Sequence, residues 1–176
     1  MTSDNLLAVA SDWQEEAREC LFKENYTRAT LLYEQAIEAE PNVKSYYWQL
    51  GLMFLLQGQE VEAQTTWLLG MTEGDPNEIE PWTQELVEVL ETEAERQRLH
   101  RKDYTVAWAV RQHIREISPA NLHNLLHLMV LSILIQTYTG EEPDSLGVIE
   151  LLKSNKPLLI SHELLRSEER RVGKEC

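Results

Sequence analysis

A spacing of 34 residues runs through the first half of this chain and constrains its fold more than any other feature. Ala17 and Gly51, Cys20 and Phe54, Ala29 and Ala63, Tyr33 and Trp67, and Ala36 and Gly70 each stand 34 positions apart. Five matched pairs at one period are hard to obtain by accident. A period of this length marks stacked supersecondary units, none of which can bury its apolar face alone.

The hydrophobic pattern inside one period is helical. Between Trp13 and Pro41 apolar residues recur at steps of three and four, interrupted by Lys23-Glu24-Asn25 and closed by Pro41-Asn42. Two helices of roughly 12–15 residues joined by a tight turn account for this. The next stretch repeats the arrangement. Tyr47, Leu50, Gly51 and Phe54 form one face, Gln57-Gly58-Gln59 breaks it, and Ala63, Trp67 and Gly70 form another before Asp75-Pro76.

Beyond Pro76 the pattern loosens. Trp82, Leu86, Val89 and Leu90 are helical, Glu93 to Arg101 is polar all round, and Tyr104, Ala107, Trp108, Val110 and Ile114 lead to Pro119. This third unit is stretched by roughly ten residues relative to the period. A fourth pair runs from Leu122 to Tyr138, turns at Thr139 to Pro143, and resumes from Leu146 to Leu152. The expectation is an all-α helical-hairpin solenoid over residues 1–155. Its about four helix pairs lie near 10–43, 44–77, 78–119 and 120–154, the last two degenerate.

Position by position, the first two units resemble the tetratricopeptide repeat, whose pattern alternates large, small and aromatic residues before a closing proline. The first unit supplies Trp13, Ala17, Cys20, Ala29, Tyr33, Ala36 and Pro41, with Glu16 where the family has leucine. The second supplies Tyr47, Leu50, Gly51, Phe54, Ala63, Trp67 and Gly70, its proline, Pro76, falling one place late. Small residues let the paired helices approach closely, and aromatics fill the space beside that contact.

Charge narrows the function classes. Thirty acidic and sixteen basic residues among 176 give a net charge of −14. Such a surface repels phosphate backbones and anionic lipid, so neither nucleic acid nor membrane is expected as a partner. The N-terminus lacks a basic, apolar leader, and Leu122 to Ile135 is too short to span a bilayer. Two cysteines, Cys20 and Cys176, make no disulfide framework. A cytoplasmic protein is expected.

No residue pattern points to catalysis, a cofactor or a metal. His123 and His127 have zinc-ligand spacing, but Asn124, Leu125 and Leu126 lie between them and no cysteine is near. They read as polar positions flanking an apolar face, and His100 and His113 as surface residues. Cys20, beside Glu16 and Glu19, reads as a packing residue. Nine acids from Glu73 to Glu95 with no base among them read as a solvated face. Arg96, Arg98, Arg101 and Lys102 then pair with Glu91 and Glu95 along a long exposed helix.

The resemblance implies a concave groove lined by Gln14, Arg18, Leu21, Phe22, Trp48, Leu52 and Leu55. An apolar groove of this kind suits an amphipathic helix or another part of the same polypeptide. Alternatively, Trp48 and Leu55 pack on the following repeat. The residues needed for a carboxylate clamp or an asparagine ladder are missing. Three stretches, YYWQLGLMFLLQGQEVEAQTTWLLGM, WTQELVEVLETEAERQ and DYTVAWAVRQHIREISPANLHNLLHL, are similar to the N-terminal helical region of cyanobacterial-type SPINDLY-family O-linked N-acetylglucosamine transferases. The resemblance implies a protein-interaction region that precedes separate nucleotide-sugar-binding lobes. The other reading is a stand-alone adaptor or assembly regulator. Residues 156–165 are expected as a linker or frayed helix. Arg166 to Cys176 resembles a translated sequencing adapter and is expected to be non-native or disordered.

Overall fold

The computed structural model describes residues 3–72, 75–143 and 145–154. The described residues are helical and contain no strand. Eight α-helices are found among them: α1 (Ser3–Phe22), α2 (Tyr26–Ala39), α3 (Lys44–Leu56), α4 (Glu60–Thr72), α5 (Ile79–Arg96), α6 (Tyr104–Ile117), α7 (Leu122–Thr139) and α8 (Leu146–Ser154). They divide into two compact units, with the boundary between Thr92 and Glu93 inside α5.

In the first unit α1 packs on α2, α2 on α3 and α3 on α4. The turns fall where the polar breaks stand, and their hydrogen bonds repeat. The Asn25 N–H donates to the Cys20 carbonyl at 2.8 Å, and the Gln59 N–H donates to the Phe54 carbonyl at 2.9 Å. Likewise the Glu24 and Gly58 N–H groups donate to the Leu21 and Leu55 carbonyls. Glu24 and Gly58 both adopt the left-handed conformation, with φ of 59° and 75°. This closes the orphan carbonyls of the preceding helix. The Asn25 side chain then caps α2 by accepting from the Arg28 N–H.

Packing of α3 on α4 is reciprocal. A Cβ at Gly51 would stand 2.5 Å from Trp67 Cδ1, and one at Gly70 would stand 2.7 Å from Trp48 Cζ3. Each glycine is therefore the slot for the other helix's indole, and the Trp67 indole N–H donates to the Trp48 carbonyl at 3.2 Å. Buried Ala17, Ala29, Ala36 and Ala63 allow similarly close approaches along α1 to α4. Trp13 meets Tyr33 and Tyr46 edge-on, at ring distances of 5.7 and 5.3 Å, tying α1, α2 and α3 together. On α5, Trp82, Leu86, Val87 and Leu90 are buried, and Glu85 accepts from the Trp48 indole of α3.

In the second unit α6 packs on α7 and α7 on α8. Buried Leu125, Leu128 and Val148 form a cluster edged by Trp108, Leu122, Met129, Leu151 and Leu152. Asp103 caps α6, Asn121 caps α7, and Gly140 ends α7 in the left-handed conformation. Between α5 and α6 the chain makes a π-helical turn, Gln97–Arg101, ended by left-handed Lys102.

Here the structure corrects the sequence reading. The polar stretch from Glu93 is not a long exposed helix: Glu93 is 2% exposed, Gln97 3% and Arg96 9%. A carboxylate and a guanidinium tolerate such burial when each satisfies the other. His113 is also buried rather than a surface residue, with Nδ1 3.5 Å from a Glu116 carboxylate oxygen. Cys20 is buried as a packing residue, with a free thiol. The expectations for 156–165 and for Arg166 to Cys176 fall outside the described residues.

Candidate functional site

The seven groove residues expected from the sequence do not share one degree of exposure. Gln14 and Arg18 lie exposed on α1, where Arg18 pairs with Glu15 at 3.2 Å. Phe22, at the end of α1, is 59% exposed, and Leu21 is half-buried. On α3, Trp48 and Leu52 are buried and Leu55 is half-buried. The Trp48 ring lies against Gly70, and its indole N–H donates to a Glu85 carboxylate oxygen at 3.3 Å. The surface these residues offer is consequently the α1 edge, with Gln14, Arg18 and Phe22 outermost. Trp48 and Leu52 hold α3 against its neighbours.

A second constellation lies in the second unit, and sequence reading did not assemble it. Glu93 accepts three hydrogen bonds: from Arg96 Nε at 2.8 Å, Arg96 Nη2 at 2.7 Å and Gln97 Nε2 at 2.7 Å. Two residues on, Glu95 receives Arg98 from the following π-helical turn and Arg111 from α6, the shortest bonds being 2.7 and 2.8 Å. Arg111, 1% exposed, also donates to Asn124 Oδ1, and the Asn124 amide donates back to the Arg111 carbonyl at 3.0 Å. The His127 Nδ1 stands 3.2 Å from Glu95 Oε1. Its ring is 4.4 Å from that of His123.

Two titratable groups of the network are shifted from their ordinary values. Partial burial pushes the Glu95 carboxyl up, but the hydrogen bonds and charges of Arg98 and Arg111 overrule it and hold it at about 2. His127 is pushed below its ordinary value, first by burial and then by the nearby Arg111 and His123, with Glu95 opposing. A carboxylate held ionised by two guanidinium groups is a poor proton acceptor at neutral pH. This network ties the end of α5 to α6 and α7.

Nearby, Arg101, Lys102, Asp103, Tyr104, Thr105, Tyr138 and Thr139 line an open depression of about 350 Å³. Tyr104 and Tyr138 stand 5.4 Å apart there, and the Asp103 carboxylate is occupied in accepting the Val106 N–H. Among the described residues no group of three or more His, Cys, Asp or Glu side chains is placed to hold a metal ion. None of the described helices is long and apolar enough to cross a membrane.

Comparison with protein-family models, curated proteins and solved structures found no match.

One signal for the network was present in the sequence. Glu93, Arg96 and Gln97 have the i, i+3, i+4 spacing of one helical face, and Ala94, 0% exposed, sits among them. No such spacing announces the partners of Glu95, since Arg111 comes from α6 and is itself bonded to Asn124 of α7.

Proposed function

We propose that this chain is a protein–protein interaction module of tetratricopeptide type, the non-catalytic N-terminal repeat region of a SPINDLY-like O-linked N-acetylglucosamine transferase. The observation that carries the repeat reading is the recurrence, at 34 residues, of one helix–turn–helix unit with its turn hydrogen bonds. The bonds at Asn25 and Glu24 return at Gln59 and Gly58. The Gly51–Trp67 and Gly70–Trp48 contacts add the small-against-aromatic packing expected of such repeats. The transferase assignment rests on the three similar stretches alone. On this reading the partner is a protein segment, and the exposed α1 edge with Gln14, Arg18 and Phe22 receives it.

The test has two arms. Genomic sequence read past codon 165 should continue into an open frame for α/β lobes, and those lobes, expressed separately, should bind this chain. Phe22→Ala with Arg18→Glu should weaken that binding. The chain by itself should give no heat on titration with UDP-N-acetylglucosamine. A stop codon at that point would support the adaptor reading instead, and micromolar sugar-nucleotide binding would defeat both.

A further inference from the structure

Acidity is not spread evenly along this chain. Eighteen acidic and four basic residues precede Glu93, whereas from Glu93 onward there are twelve of each. The net charge of −14 therefore belongs to the first unit. From Ser45 to Thr92, across α3, α4 and most of α5, nine acids stand and no lysine or arginine. Within that stretch α4 leaves an apolar row in solvent. Its buried Ala63, Thr66, Trp67 and Gly70 are committed to its own unit. The other side carries Val61, Thr65, Leu68, Leu69 and Thr72, all exposed. Val61 is 72% exposed, Leu68 64% and Leu69 57%. Val61, Thr65, Leu68 and Thr72 follow at steps of four, three and four, the spacing of a helix-pairing seam. Both threonine hydroxyls turn back on the helix, so neither needs a polar partner across that seam. Thr65 donates to the Val61 carbonyl at 2.8 Å and Thr72 to the Leu69 carbonyl at 2.9 Å. Acids bracket the row. Glu60 and Glu62 are exposed at its start, and Asp75, Glu78 and Glu80 are exposed just past its end. The last base before this stretch, Lys44, holds its ammonium 4.9 Å from the centre of the Trp82 ring.

We infer that this row is a docking surface for a basic amphipathic helix of a partner protein, aliphatic along one seam and flanked by lysine or arginine. Apolar contact and charge select the same occupant. Aliphatic side chains of the partner cover Val61, Leu68 and Leu69, and cations beside them meet Glu60, Glu62 and the acids after Thr72. A second copy of this unit would instead set carboxylates against carboxylates along the seam. Val61 to Thr72 spans about 16 Å of helix axis, which about three turns of a partner helix cover. The surface lies on α4 rather than along the α1 edge.

Fluorescence anisotropy of a labelled probe peptide tests this on the full chain. The probe is a helix of about 15 residues with leucine at a/d spacing and lysine elsewhere. It should bind, and a peptide with the same leucines but glutamate for lysine should not. Leu68→Gln with Leu69→Gln should weaken binding about tenfold or more, as the loss of two buried aliphatic contacts requires. Leu126→Gln with Ile133→Gln alters a comparably exposed pair on α7, in the neutral half of the chain, and should leave binding unchanged. Phe22→Ala should also leave it unchanged. Circular dichroism checks that helicity is kept. If the double α4 variant loses it, Val61→Gln replaces that variant and must likewise weaken binding. A wild-type chain that does not bind the lysine probe, or a folded α4 variant that binds it as tightly, would overturn the proposal. So would equal loss in the α7 or Phe22→Ala variant, which would place the probe elsewhere. Equal binding of the glutamate peptide would mean that charge does not choose the occupant, and would overturn it as well.

Discussion

Gly51 and Gly70 show how much a single missing side chain decides. With no Cβ on either, α3 and α4 close until each indole fills the slot opposite. Gly51→Leu should therefore destabilise the chain by about 1–3 kcal/mol or more. The urea midpoint should fall, because rigid Trp67, itself hydrogen-bonded to the Trp48 carbonyl, has little room to yield. An unchanged midpoint would remove the close approach. Glu95 gives a pH prediction. Its carboxyl titrates at about 2 in the folded chain against an ordinary value of 4.5. A depressed acid contributes stability that is complete above the ordinary value and is lost as pH falls through the folded one. Wild type should lose more stability than Glu95→Gln between about pH 4.5 and pH 2, read as the difference of the two denaturation curves. Parallel curves would mean that Arg98 and Arg111 do not hold the charge. The glycine slots were legible in the sequence because small and aromatic residues alternate at fixed spacing. The fate of Glu95 was not, because Arg111 lies 16 positions away and carries no periodic signal.

At the scale of elements, helix ends were the clearest feature of the sequence. Lys23-Glu24-Asn25 and Gln57-Gly58-Gln59 lie between α1 and α2 and between α3 and α4, as their polar composition predicts. Each holds one left-handed residue, but only the second uses glycine. Glutamate at φ 59° bears a steric cost that glycine avoids. Glu24→Gly should accordingly raise stability, by about 0.5–1 kcal/mol, and Gly58→Ala should lower it by a similar amount. Thermal melting of both variants checks the pair, and a destabilising Glu24→Gly would show that its side chain matters more than its backbone. The α5–α6 connection was the hard element. Its residues look polar on every side, and a sequence pattern equates polarity with exposure. Burial of Glu93, Arg96 and Gln97 inverts that rule through three mutual hydrogen bonds, which a hydrophobicity count does not register.

For the whole molecule the deciding quantity is the charge of −14. Like charges brought together by folding repel, and salt screens that repulsion. Salt also weakens the favourable pairs, so the sign of the net effect depends on which set is larger. The exposed pairs Arg18–Glu15 and Lys23–Glu19 are single contacts within one helix, and such pairs contribute little. The better pairs, Arg96–Glu93 and Arg111–Glu95, bury their guanidinium groups and are screened least. Repulsion should dominate what salt can reach. Raising sodium chloride from about 0.01 M to about 0.15 M shortens the screening length from about 30 Å to about 8 Å. Over that range the melting temperature should rise. Chloride is preferred to sulfate, since sulfate strengthens apolar burial by exclusion and would raise the midpoint for a different reason. A melting temperature that falls with added chloride would mean that the surface ion pairs outweigh the acidic excess.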